Sequence, residues 1–205
     1  KILCLADIHM HDRNTAKGFD TVTLINDSLD KLSPDLVVFL GDNVCDWKEM
    51  TAEKLQKSFD AIISPVSQRN IPLALVFGNH DWQIGIPIEE QLKIYQKYEK
   101  CLAVKGKCES GIGNYNLTIK NSKGTRDVFN LWFVDSGSNI KDENGKSTYD
   151  YVKDDQIEWY KKTAEQLKEK NKGFSVPALL FQHIPVPEIY ELLKEVSPLT
   201  PGAVK

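Results

Sequence analysis

The 205-residue sequence has no apolar run much longer than a β-strand, and so nothing near the ~20 residues that a membrane-spanning helix requires. It has no excess of positive charge. Lys and Arg number 26 against 29 Asp and Glu, and a net charge of −3 offers no electrostatic footprint for nucleic acid or an anionic membrane. Internal repeats and low-complexity tracts are absent. No leader is visible, because Lys1-Ile2-Leu3 already reads as the start of a strand, and a leader removed earlier would leave the same start. Cysteine is limited to four residues. Cys4 lies within the first strand and is expected to be a small buried hydrophobe. Cys45 follows a turn. Cys101 and Cys108 flank Lys105-Gly106-Lys107 and have two readings, free thiols or a disulfide. The disulfide would favour an oxidising, extracytoplasmic setting, so the compartment stays open.

What is present is an ordinary globular composition, 41% hydrophobic and 27% charged, over a length that suits one domain spanning residues 1–205. The chain is organised around Leu36 to Asn43. Five apolar residues there read as a strand buried on both faces, and Gly41 lets the backbone turn before Asp42. The same design recurs three times. Ile2 to Ala6 delivers Asp7-Ile8-His9, Leu73 to Phe77 delivers Gly78-Asn79-His80-Asp81, and Ala178 to Phe181 delivers Gln182-His183. The carboxyl ends of strands in an open α/β sheet are where ligands bind. Four such ends carrying metal-type or acid–base residues make a candidate site.

Between these strands the periodicity predicts helices over Phe19–Leu32, Thr51–Val66 and Pro87–Cys101. The buried stripes are Val22, Ile25, Leu29 and Leu32, then Ala52, Leu55, Phe59, Ile62, Ile63 and Val66, then Ile88, Leu92 and Tyr95. Asn114–Ile119 and Val128–Val134 read as a hairpin, and Ser138–Tyr149 as a polar loop. Asp154–Lys170 reads as an amphipathic helix capped by Asp154, with Ile157, Tyr160, Ala164 and Leu167 inward. A short helix is expected over Glu188–Val196. The β-α-β-α-β start favours parallel strands and the second half antiparallel ones. The fold class is therefore α/β, with mixed sheets, a two-sheet sandwich, flanked by helices.

An extended Asp-x-His segment puts both side chains on one face, so Asp7 and His9 can grip one ion. Asp42 can give one carboxylate oxygen to each of two ions, while Asn79 offers an amide oxygen and His183 an imidazole nitrogen. Mixed nitrogen and oxygen donors suit Zn, Mn or Fe and argue against a calcium cage. Two cations facing two carboxylates leave a positive centre that attracts phosphate without Lys or Arg, and a bridging water there is strongly acidified. Taken singly, each carboxylate or amide has a turn-former reading. Asp135-Ser136-Gly137 is read as a turn, His11 as an exposed loop residue, and Trp82 as either a pocket wall or core packing.

Asp7-x-His9, Gly41-Asp42-Asn43, Gly78-Asn79-His80-Asp81 and His183 together resemble the calcineurin-type metallophosphoesterases in order and spacing, over nearly the whole chain. Gly113-Asn114-Tyr115-Asn116-Leu117, Phe133 to Gly137 and Pro177 to Pro187 are similar to a purple-acid-phosphatase-like branch of plants, fungi and bacteria. The resemblance implies two divalent or trivalent metal ions, with Asp7 and His9 on the first, Asn79 and His183 on the second, and Asp42 bridging. It implies that Asn79 and His80 contact the substrate and that His80, oriented by Asp81, protonates the leaving oxygen. The implied function is hydrolysis of phosphate monoesters by a metal-bound hydroxide. Alternatives are a phosphodiesterase or nucleotide hydrolase, or a non-catalytic metal-binding relative.

Two departures from the family pattern stand out. The tyrosine ligand of true purple acid phosphatases is replaced by Cys45, so no purple colour is expected. A downstream Gly-His-x-His motif is missing. Val196 to Gly202 reads as an exposed loop and His183 lacks a following strand. The expectation is thus a domain incomplete at its C-terminus, whose remainder carries a further strand and two metal-binding histidines. Residues 1–205 alone are then expected to be metal-poor, or to hold metals completed by water, and to be a feeble catalyst.

Overall fold

The computed structural model describes residues 1–11, 15–45 and 50–192. Three strands form the first sheet: β1 (Ile2–Leu5), β2 (Leu36–Phe39) and β3 (Leu73–Leu75), all parallel and in that order. The crossovers are α1 (Ala16–Leu32) and α2 (Ala52–Gln68). Each helix starts where a threonine can cap it. The hydroxyls of Thr15 and Thr51 accept from the N–H groups of Gly18 and Lys54, which otherwise lack helical partners. Arg69 ties the two helices together through Asp30 and Asn26.

β2 and β3 are buried on both faces, as their unbroken apolar runs predict. Against them pack Leu55, Phe59, Ile62, Ile63 and Val66 of α2 and Ile88, Leu92 and Tyr95 of α3 (Ile88–Tyr95), with Phe59 and Tyr95 ring to ring at 4.3 Å. α3 ends six residues before the expected Cys101, and turns carry the chain from there to β3's free edge, where Leu102 donates to Leu73.

The second sheet runs β4 (Tyr115–Lys120), β5 (Asp127–Phe133), β8 (Ala178–Phe181), with β4 and β5 antiparallel and β5 and β8 parallel. The Tyr115 hydroxyl joins the two sheets, accepting from the Leu75 N–H and donating to the Leu75 carbonyl. Behind it Tyr115, Phe133 and Phe181 stack in sequence.

Several expectations are corrected. β1 and β8 lie at sheet edges among the described residues and are largely exposed, so their apolar runs reflect strand propensity more than two-sided burial. Cys4 is exposed for the same reason, and no disulfide joins any of the four cysteines. Ser138–Tyr149 is not a plain loop. It holds the hairpin β6 (Asn139–Lys141) and β7 (Ser147–Tyr149), closed by the Asp142 carboxylate accepting from the Asn144 and Lys146 N–H groups.

α4 spans Asp154–Lys170 as expected, but its cap is Lys153 rather than Asp154, with Gln156 reaching back to the Lys153 N–H. Its face is rotated from the predicted stripe: Gln156 and Leu167 are buried, whereas Ile157 and Tyr160 are partly exposed and Trp159 and Tyr160 flank Trp132. The last described element is a 3-10 helix over Pro187–Leu192, so the rest of the expected Glu188–Val196 helix and the Val196–Gly202 loop lie outside the described residues. No described helix is long and apolar enough to cross a membrane.

Candidate metal centre

Gly41 and Gly78 bring the ends of β2 and β3 closer than any side chain would permit. A Cβ on Gly78 would meet the Asp42 carboxylate at 2.2 Å, and one on Gly41 would meet the Gly78 backbone at 2.5 Å and His183 Nδ1 at 2.9 Å. Gly41 also has φ +93°, a region side chains avoid. This contact seats Asp42 at the floor of a cleft, 4% exposed. Its Oδ1 accepts the His80 backbone N–H at 2.9 Å.

Its Oδ2 faces three imidazoles: His183 Nε2 at 3.3 Å, His9 Nε2 at 3.8 Å and His80 Nε2 at 3.9 Å. Burial works to raise the Asp42 pKa, but hydrogen bonds from His183 and His80 outweigh it and hold the group below the usual carboxylate value. Oδ1 thus carries a backbone N–H, while Oδ2 faces both His9 and His183.

Asp7 and His9 reach this floor by a route that strand alternation does not describe. β1 stops at Leu5, and both residues adopt left-handed backbone conformations, with φ 52° and 47°. Asp42 does the same at 52°. Such conformations are costly for residues with side chains and persist only where surrounding bonds impose them. Here Asp7, His9 and Met10 donate in turn to the carbonyls of Gly41, Asp42 and Asn43. The donor atoms of Asp7, His9 and Asp42 consequently lie within 4.8 Å of one another, with Asp7 open to solvent at 60% exposure. Ligands bonded at about 2.0–2.2 Å to one ion sit up to ~4 Å apart, so this set fits a cation with little movement.

Asn79 and His183 form the other side. The Leu40 carbonyl can only accept, so His183 Nδ1 donates to it at 2.8 Å. Nε2 then lies 3.2 Å from Asn79 Oδ1 and 3.3 Å from Asp42 Oδ2. Three acceptor atoms converge, and a positive charge must sit among them. Burial alone would lower the His183 pKa, yet the Asp42 carboxylate raises it above the ordinary value, which is how the chain answers that demand with a proton. A bound cation would answer it equally well, so the donor set fits a metal.

The Asp81 carboxylate is buried and accepts the backbone N–H groups of Gly78, Asp42 and Asn43 at 2.8, 2.8 and 3.3 Å. The expected orientation of His80 by Asp81 is therefore corrected. Those N–H groups, freed by the sharp turns at both glycines, claim the carboxylate, and the His80 ring turns to Gln83, whose Oε1 lies 2.9 Å from Nδ1. Gln83 and Asn139 were not anticipated from the sequence. Their only signals were an amide three residues after His80 and another at the head of a polar stretch.

A family model of the calcineurin-like phosphoesterases matches residues 1–199. The chain belongs to that family. Within it, this phosphoesterase-family chain is 30% identical over 185 residues to "Probable inactive purple acid phosphatase 14" of Arabidopsis thaliana, covering 82% of itself and 46% of that protein. It is 28% identical to "Probable inactive purple acid phosphatase 29" of the same plant, covering 92% and 54%. "Phosphatase DCR2" of Saccharomyces cerevisiae shares 29% identity, covering 97% of this chain and 36% of its own. The chain thus spans about half or less of the length of these relatives.

Proposed function

We propose that this chain carries a two-cation centre that hydrolyses phosphate monoesters, with Asp7, His9 and Asp42 around one ion and Asp42, Asn79 and His183 around the other. The observation that supports it most is the placement of Asp42 Oδ2 between His9 and His183, each belonging to a different donor set. Bound cations supply Lewis-acid charge that holds the phosphate and acidifies water. His80 stands outside both sets, 29% exposed, with Nε2 directed at the cleft and Nδ1 held by Gln83. With Nδ1–H held by Gln83, Nε2 takes up a proton from water and passes it to the departing alkoxide.

A non-catalytic reading gains from the word "inactive" in the names of two relatives. His80 argues the other way, since a purely structural site has no use for a non-ligand imidazole. The test is a panel of aryl and alkyl monoesters and diesters with Mn2+ supplied. Monoesters are expected to turn over faster than diesters, Asp42→Ala is expected to retain less than a tenth of the rate, and His80→Ala to be slower by roughly 10²–10⁴-fold with unchanged metal content. Faster diester cleavage would favour the phosphodiesterase alternative. Bound metal without any turnover would favour the non-catalytic one.

A further inference from the structure

Asn139, the first residue of β6, belongs to neither donor set, yet its carboxamide oxygen meets both Asn79 of the second set and Gln83, the partner of His80. That oxygen, Oδ1, accepts from Asn79 Nδ2 at 3.2 Å and from Gln83 Nε2 at 2.7 Å. Each bond fixes which way an amide faces. With Nδ2 committed to Asn139, Asn79 presents Oδ1 on its other side, 3.2 Å from His183 Nε2. With Nε2 committed to Asn139, Gln83 presents Oε1 to His80 Nδ1. An amide oxygen only accepts, so His80 carries its proton on Nδ1 and leaves Nε2 toward Asp42.

If the Asn139 oxygen is removed, each amide is held only by an imidazole nitrogen, Asn79 by His183 Nε2 and Gln83 by His80 Nδ1, and rotation becomes easier. A rotated Asn79 would turn an NH2 group, which cannot bind a cation, toward the second donor set. A rotated Gln83 would place NH2 against His80 Nδ1, which would then have to accept, moving the ring proton to Nε2.

We propose that Asn139 is a positioning residue whose one oxygen sets both the ligand face of Asn79 and the tautomer of His80. The inference rests on the reading of Asn79 as a ligand and His80 as the acid, but its first test needs neither metal nor turnover. Both Asn139 and Gln83 are exposed, so water competes with these bonds and the effects are partial.

The experiment is long-range 1H–15N spectroscopy of the histidine rings in the metal-free 205-residue chain, followed by calorimetric titration with Mn2+. Wild-type His80 is expected to be protonated on Nδ1. Asn139→Leu is expected to shift the ring toward the Nε2-protonated form and to weaken Mn2+ binding by roughly 10-fold or more, the usual scale for residues supporting a ligand. Gln83→Leu should shift the ring and leave Mn2+ affinity within about twofold of wild type. Asn139→Asp, which keeps an acceptor in place, should restore both properties. An Asn139→Leu ring still protonated on Nδ1, or one shifted with Mn2+ affinity intact, overturns the double role. A wild-type chain that meets the spectroscopic and Mn2+ expectations but hydrolyses no phosphate ester counts against the proposed function alone.

Discussion

Among the carboxylates of the site, Asp81 departs furthest from its ordinary state. Burial, together with the nearby Asp42 charge, pushes its pKa from 3.8 up to about 7, although the Gly78, Asp42 and Asn43 N–H groups pull the other way. A carboxyl group with a raised folded value holds a proton that the unfolded chain has released. Its stabilising contribution is complete below about pH 4 and is lost as pH rises through about 7. In the metal-free chain the urea midpoint should therefore be higher at pH 5 than at pH 8, and Asp81→Asn should narrow that difference. An unchanged difference would mean that Asp81 folds as an ordinary carboxylate.

Gly78 gives a second expectation at this scale. The 2.2 Å approach to Asp42 leaves no room for a methyl group. Gly78→Ala should destabilise the fold by about 1–3 kcal/mol, measured by urea denaturation, and should displace Asp42. A variant as stable as wild type would show that the two strand ends separate easily.

Among the elements, α4 acts as the clamp that holds the second sheet to the loops beneath the site. Gln156 does this with one buried side chain. Its Oε1 accepts from the Lys153 N–H, and its Nε2 donates to Asn114 Oδ1 and to the Asp135 carbonyl, both at 2.7 Å. The Asp135 carboxylate continues the network to the Ile112 and Gly137 N–H groups, so the turn read from Asp135-Ser136-Gly137 is also a buried anchor. Gln156→Ala should cost about 2–3 kcal/mol by leaving buried groups unpaired. Gln156→Glu, which faces two acceptors with a carboxylate, should be less stable at pH 8 than at pH 4. Equal stability of both variants and wild type would remove the clamp from the account.

Local chemistry wrote some of these elements into the sequence and left others unreadable. β2 and β3 were legible because unbroken apolar runs bounded by glycine have few alternatives. The strand ends carrying Asp42 and Asn79 were legible for the same reason, and those carrying Asp7 and His183 from strand propensity alone. The left-handed conformations of Asp7 and His9 were not, since they depend on pairing with the Gly41–Asn43 backbone. Nor was the link from Asn139 to Asn79, which spans 60 residues, or to Gln83, which spans 56. Single amides carry no periodicity. Asp81 was misassigned because its sequence neighbour, His80, was a more obvious partner than N–H groups freed by turns elsewhere.

At the scale of the whole molecule, two sheets meet where β2, β3 and β8 end, and Asp42 stands at the junction. His183 comes from the second sheet and bonds the Leu40 carbonyl of the first, so the centre is also part of what holds the sheets together. The central claim is that Asp42 serves two cations, one on the Asp7–His9 side and one on the Asn79–His183 side. The most direct measurement is an anomalous difference map from crystals of the chain soaked in Mn2+. The account predicts two peaks flanking Asp42, both within bonding distance of its carboxylate. A single peak, or peaks that do not share Asp42, would contradict it.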